Sequence, residues 1–168
     1  MITLLTPTFD YAAQIEQLRR ELIAAQDADS FAGCCFLEDY AHAEDWLTFL
    51  HTPDDSRVPS DVFLAVRAED DRVVGLIDLR HHIDHPVLGL WGGHIGYTVR
   101  PDERGKGYAK QMLRLDLEKA RTLGLQKVLV TCSPNNPASE RTILACGGKF
   151  EKEILVDDAR IRRYWIEL

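Results

Sequence analysis

No stretch of the 168 residues approaches the roughly 20 consecutive apolar positions that a membrane-spanning helix needs. The opening MITLLTPTFDYAAQIEQLRR has no basic segment followed by an apolar one, so no secretory signal is read there. The expectation is an unprocessed cytoplasmic protein with no membrane contact. Cysteine is scarce, and Cys34, Cys35, Cys132 and Cys146 make no CxxC and no zinc-like or disulfide-framework spacing, which reads as four reduced thiols. Positive charge is outnumbered, 20 Lys and Arg against 27 Asp and Glu, for a formal charge of -7. The long-range field therefore repels polyanions, and nucleic acid is excluded as a general partner. Any anionic ligand requires a local site. Glycine and proline are scattered, with no repeat, linker or low-complexity run, and 19.1 kDa corresponds to about one domain, here residues 1–168.

What is present is a change of period along the chain. ITLL reads as a strand, and Tyr11, Ile15, Leu18, Leu22 and Ala25 recur at helical spacing. ADSFAGCCFL loses that period. A second helical pattern carries Tyr40, Ala43, Trp46, Leu47 and Leu50 before Pro53, Asp54 and Asp55 end it. VFLAVRA and RVVGLIDLRHH form a hairpin across an acidic turn, and LWGGHIGYTV reads as a further antiparallel strand. A helix with Ala109, Leu113, Leu117 and Ala120 on one face leads to KVLVTC, whose continuous apolar centre suits a strand covered on both faces. Strand, helix and strand then make a crossover with parallel strands, giving a mixed sheet. Asn136 and Pro137 open a short helix closed by Gly147 and Gly148, and KFEKEILV and ARIRRYWIEL form a hairpin turning at Asp157 and Asp158.

The segment most informative about chemistry is VRPDERGKGYA, Val99 to Ala109, because it joins a strand end to a helix start. A helix N-terminus exposes unpaired N–H groups, and glycines let that backbone approach an anion closely. A phosphate or pyrophosphate fits such a turn. The loop is not a Walker A sequence, since Gly107 stands where Ser or Thr must follow the lysine, and Lys110 breaks a dinucleotide GxGxxG pattern. On the motif alone, a strand-to-helix connection that happens to carry two glycines remains the plainer alternative.

Arg104-Gly105-Lys106-Gly107-Tyr108-Ala109 resembles the Arg/Gln-x-x-Gly-x-Gly/Ala pyrophosphate loop of the GNAT N-acetyltransferases, and IGYTVRP before it is similar to their fourth strand. Asn136-Pro137-Ala138-Ser139, with Ile143 and Gly147-Gly148 following, resembles a second block of that family. The motifs cover about residues 91–150, and the element order extends the likeness along the chain. The resemblance implies an α/β (α+β) fold: a central mixed, mostly antiparallel sheet of six or seven strands, about four flanking helices, and a strand-helix-strand acetyl-CoA-binding core. It implies an acetyl-CoA-dependent N-acetyltransferase that uses no metal, in which an amine attacks the thioester directly.

By the same resemblance, Tyr97, Thr98 and Val99 bind the pantetheine arm where the fourth and fifth strands part. Arg104, Gly105, Lys106, Gly107, Tyr108 and Ala109 receive the pyrophosphate, and Asn136 and Ser139 reach the cofactor. His94 stands near the place of the family's strand carboxylate and is a candidate general base; the alternative is a strand histidine satisfied by backbone. Ile143 stands where a tyrosine acid is common, which leaves water, Ser139 or no acid to serve. With both groups replaced, the competing reading is a catalytically inactive acyl-CoA-binding sensor or scaffold. A homodimer through strand edges or the C-terminal hairpin is left open.

Other residues invite plainer readings. His81, His82 and His85 lie before Pro86 without metal-ligand spacing and read as a surface or substrate loop. Cys132 and Cys146 read as packing thiols, and Trp46, Trp91 and Trp165 as core or interface anchors. Asp29, Glu38, Asp39 and Asp78 are candidate contacts for a cationic amine.

Overall fold

Alternation of apolar residues builds the first sheet. In the computed structural model, which describes residues 1–27 and 30–168, β1 (Ile2–Leu5), β2 (Ser60–Arg67), β3 (Arg72–Arg80) and β4 (Ile95–Val99) pair antiparallel in the order β1-β2-β3-β4. Along β2, Phe63 and Ala65 face one core while Val62, Leu64 and Val66 face the other, the period of two expected of a sheet covered on both sides. Helices α1 (Ala12–Ala25) and α2 (Ala43–His51) cover the second face with Ile15, Leu18, Leu22, Trp46 and Leu47. Trp46 is fully buried, and its indole N–H donates to Cys35 O at 2.9 Å, so it is a core anchor.

Helix α3 (Tyr108–Thr122) covers the first face through Met112, Leu113, Leu117 and Ala120. It leads into β5 (Lys127–Cys132), which belongs to a second antiparallel sheet of order β5-β7-β6, with β6 Lys149–Val156 and β7 Ala159–Glu167. Asp157 and Asp158 have φ of 46° and 66°, the left-handed pair that a tight hairpin turn requires. Helix α4 (Pro137–Ala145) begins where expected: Asn136 Oδ1 accepts from Ser139 N at 3.1 Å, and Pro137 takes the first turn. Among the described residues, no helix is long and apolar enough to cross a membrane.

Three expectations are corrected. Tyr40 lies outside α2, which starts at Ala43. Leu90 to His94 do not extend β4: residues 88–92 form a π-helical turn, held by Gly93 N donating to Leu88 O at 2.8 Å and opened by His85 Nδ1 accepting from Val87 N. Glycines at 89, 92 and 93 and the preceding Pro86 make that turn cheaper than an extended run. Finally, the crossover strands β4 and β5 share no ladder, and every ladder among the described residues is antiparallel. The sheet is divided four and three, with a seam between β4 and β5.

Candidate active site

The connection from β4 to α3 is an exposed backbone loop mounted on a buried carboxylate. Gly105 and Gly107 sit at φ +77° and +81°, a left-handed region that disfavours side chains, and nothing lies within 4 Å of where a Cβ would stand on either. Gly107 caps α3, so the N–H groups of the first turn, with Tyr108 and Ala109, open to this space. Beneath them the Glu103 side chain is 1% exposed and is reached by Lys106 Nζ at 2.8 Å, Arg72 Nη1 at 2.9 Å and Arg67 Nη1 at 3.0 Å. The Lys106 ammonium, with both guanidinium groups, holds this carboxyl below the usual range despite its burial. Arg104 pairs with Asp27 at the end of α1, and its Nε donates to Val99 O at 3.2 Å. The two cations that the sequence assigns to phosphate thus already have carboxylate partners; free backbone N–H groups at a helix N-terminus are what the loop offers first.

The open edge of β4 leads to that loop. Arg100 N donates to Val74 O and Arg80 N to His94 O, both at 2.8 Å, and the intervening register pairs Ile77 with Tyr97 and Gly75 with Val99. By antiparallel alternation, Gly96, Thr98 and Arg100 turn their backbone groups to β3, as His94 does with its carbonyl alone, and Ile95, Tyr97 and Val99 turn theirs to the seam. Tyr97 and Val99 therefore suit the arm expected there, whereas the backbone of the buried Thr98 faces the wrong way. Arg104 covers the Val99 carbonyl.

The far wall of this edge is α4. Tyr97 Oη lies 2.9 Å from Ser139 Oγ, and burial pushes the phenol well above its ordinary pKa. The next residue, Glu140, accepts from Tyr164 Oη and from Arg162 Nη1, the latter at 3.0 Å, so β4 and β7 both hold the first turn of α4. Asn136 Oδ1 is taken by the helix cap. Ile143 is fully buried in the core and has no proton to give.

His94 is 6% exposed, and its Nδ1 accepts from Leu129 N at 2.9 Å. That bond places the ring proton of the neutral form on Nε2, and burial pushes the pKa down to about 4. The histidine has no lone pair left for a substrate proton, so the expectation of a general base is not met by this geometry.

On the acceptor side, Gly33 lies against the Gly96–Tyr97 peptide; a methyl there would fall 2.2 Å from Gly96 O. This contact seats the Cys34-Cys35 turn on β4. Asp78 is buried, accepting from Gly96 N at 2.9 Å and pairing with Arg80 at 2.8 Å, which removes it from the amine-binding candidates. Glu38 and Asp39 are exposed on the following 3-10 turn, and Asp29 lies outside the described residues. Burial pushes the Cys35 thiol up to about 11, so it is no nucleophile at neutral pH. None of the four cysteines is joined in a disulfide. His81 pairs with Asp61 at 3.0 Å, and among the described residues no group of three or more His, Cys, Asp or Glu is placed to hold a metal. Sequence reasoning missed Glu103, whose role depends on partners 31 to 36 residues away, and the Tyr97 side chain, whose partner lies on another element.

A family model described as an acetyltransferase (GNAT) domain matches residues 10–149. No curated protein sequence matches the chain. Among solved structures, a chimaera of the Vibrio cholerae spermidine N-acetyltransferase SpeG and hSSAT is similar with a TM-score of 0.67 and 18% identity, covering 99% of this chain and 95% of that one. The microcin C7 self immunity acetyltransferase MccE, solved with acetyl-CoA and AMP, is similar with a TM-score of 0.70 and 20% identity, covering 99% and 92%.

Proposed function

Because the chain belongs to the GNAT acetyltransferase family and is an N-acetyltransferase, we propose that it transfers the acetyl group of acetyl-CoA to the amine of a small molecule, amino acid or peptide. The observation that carries this reading is the continuity of the open β4 edge at Tyr97 and Val99 with the unobstructed N–H groups from Gly105 to Ala109. A pantetheine arm pairs with the edge as an added strand, and the pyrophosphate meets the helix N-terminus. Arg104 and Lys106 add charge once the phosphate competes for them.

The chemistry is attack of the neutral amine nitrogen on the thioester carbonyl, with a C–N bond formed, the C–S bond broken and one amine proton released. A backbone N–H of the β4 edge steadies the carbonyl oxygen. Since His94 has no free lone pair, the amine loses its proton to water. Ser139 Oγ, held by Tyr97 Oη, returns a proton to the departing thiolate. Glu38 and Asp39 attract a cationic acceptor, and cysteines outside any disulfide suit a cytoplasmic setting. The test is thiol release from acetyl-CoA across amino acids, polyamines, aminoglycosides and peptides. Turnover on one amine class supports the reading; retention of acetyl-CoA without amine-dependent thiol release overturns it.

A further inference from the structure

The seam between β4 and β5 is closed at one residue. His94 N donates to Leu129 O at 2.8 Å, and Leu129 N donates back to His94 Nδ1 at 2.9 Å. Both backbone groups of Leu129 on this side are thus satisfied by a single residue, whose imidazole nitrogen does the work a neighbouring carbonyl does in a regular ladder. His94 O is itself tied to Arg80 N at 2.8 Å, so β3, β4 and β5 meet there. The ring is fixed from the far side by Trp165 of β7, edge-on with centroids 6.3 Å apart. Backbone contact is close as well, since a Cβ on Gly93 would lie 2.6 Å from Leu129 O. Beyond this point no ladder joins the strands, and the outward-facing groups of Tyr97 and the N–H of Val99 are left on an open edge, the Val99 carbonyl being covered by Arg104.

We propose that His94 is a positioning residue that pins β5 to β4 at the apex of the seam, and so sets the width of the slot for the acetyl-CoA arm and the height of the thioester within it. This rests on the reading of the seam as the acetyl-CoA slot. An isolated pair of bonds at the apex fixes where two otherwise unpaired strands diverge, and a displacement of about 1 Å at a reacting centre lowers rate by about a hundredfold. Removing the acceptor nitrogen also leaves the buried Leu129 N–H without a partner, which favours strand movement over an intact seam.

Asparagine carries an oxygen at the branch position of the imidazole Nδ1 and is able to accept from Leu129 N; leucine is not. The experiment compares wild type, H94N and H94L by acetyl-CoA titration and steady-state kinetics with an accepted amine. H94L is expected to raise KM for acetyl-CoA by about tenfold or more and to lower kcat by up to about a hundredfold, with no ionisation lost from the pH profile, and H94N to restore both constants toward wild type with the same pH profile. Unchanged KM in H94L overturns the pin, as does an H94N enzyme that loses kcat and an ionisation from its pH profile, the signature of a base. Independently of how the variants fold, long-range proton–nitrogen NMR of the wild-type protein is expected to place the His94 proton on Nε2 and to couple the Leu129 amide to Nδ1; a protonated Nδ1 overturns the proposal. A wild-type protein that keeps this coupling but binds no acetyl-CoA overturns the slot reading instead, and the pin's purpose with it.

Discussion

The Tyr97 hydroxyl lies 2.9 Å from Ser139 Oγ and fastens β4 to the first turn of α4 across the open end of the seam. If Ser139 protonates the departing thiolate, S139A lowers kcat by about a hundredfold or more, the usual contribution of a positioned acid, while KM for acetyl-CoA changes little. Y97F retains the serine but frees its rotamer and produces a smaller loss. Steady-state kinetics checks both, and an unaltered kcat in S139A removes Ser139 from the chemistry.

Glu103 pairs with three cations under the glycine loop. E103Q leaves Lys106 facing a neutral amide, while Arg67 keeps Asp70 and Arg72 keeps Asp102, and is expected to cost about 2 kcal/mol of stability, measured by denaturant unfolding. The carboxyl's folded pKa lies below its unfolded value of 4.5, so the folded state binds fewer protons there. Its contribution is complete above that value and is lost as pH falls through the lower folded pKa. The gap between wild type and E103Q therefore narrows in acid.

Asp27 competes for Arg104 with any bound phosphate. The pair is open to solvent, 41% and 47% exposed, so it is worth little. D27N is expected to tighten acetyl-CoA binding by at most about fivefold, with the gain shrinking as salt is added. Weaker binding by D27N would show that Asp27 orders the loop rather than competing within it.

Asp116 of α3 is fully buried, and neither of its carboxylate oxygens has a hydrogen-bond partner. Burial, followed by the charge of Asp78, pushes its pKa from 3.8 up to about 8, with Asp61 adding to the shift and Lys119 opposing it. The folded state therefore binds more protons than the unfolded state between these values, and stability falls as pH rises from about 4 to about 8. D116N removes the titrating group. Thermal unfolding is expected to show D116N close to wild type at acid pH and clearly more stable at pH 8; equal melting temperatures at pH 8 would contradict the burial argument.

The sequence made the strands and helices legible wherever one local rule governed them. Asn136 and Pro137 start α4, paired aspartates turn the last hairpin, and the periods of two and 3.6 mark β2 and α3. The glycine loop was legible for the same reason, since Gly105 and Gly107 need left-handed backbone and adjoin a helix start. What local pattern could not supply was long-range pairing. Gly92 and Gly93 sit in a run from Leu90 that reads as strand, yet residues 88–92 fold as a π-turn capped by Gly93. The charges of Arg104 and Lys106 read as free because Asp27 and the burial of Glu103 are visible only in three dimensions. His94 reads equally as a base or as a strand histidine satisfied by backbone; the structure shows the second, which nothing nearby in sequence decides because Leu129 lies 35 residues on.

The reading of acetyl-CoA bound at the Gly105–Ala109 backbone, continuous with the β4 edge, makes Gly107 decisive. Calorimetric titration of acetyl-CoA into wild type and G107V tests it most directly, because a branched side chain at φ +81° both strains the turn and fills the space before the α3 N–H groups. One binding site is expected in wild type and loss of binding in a folded G107V. Equal affinity in the two proteins, or no binding to wild type, would contradict it.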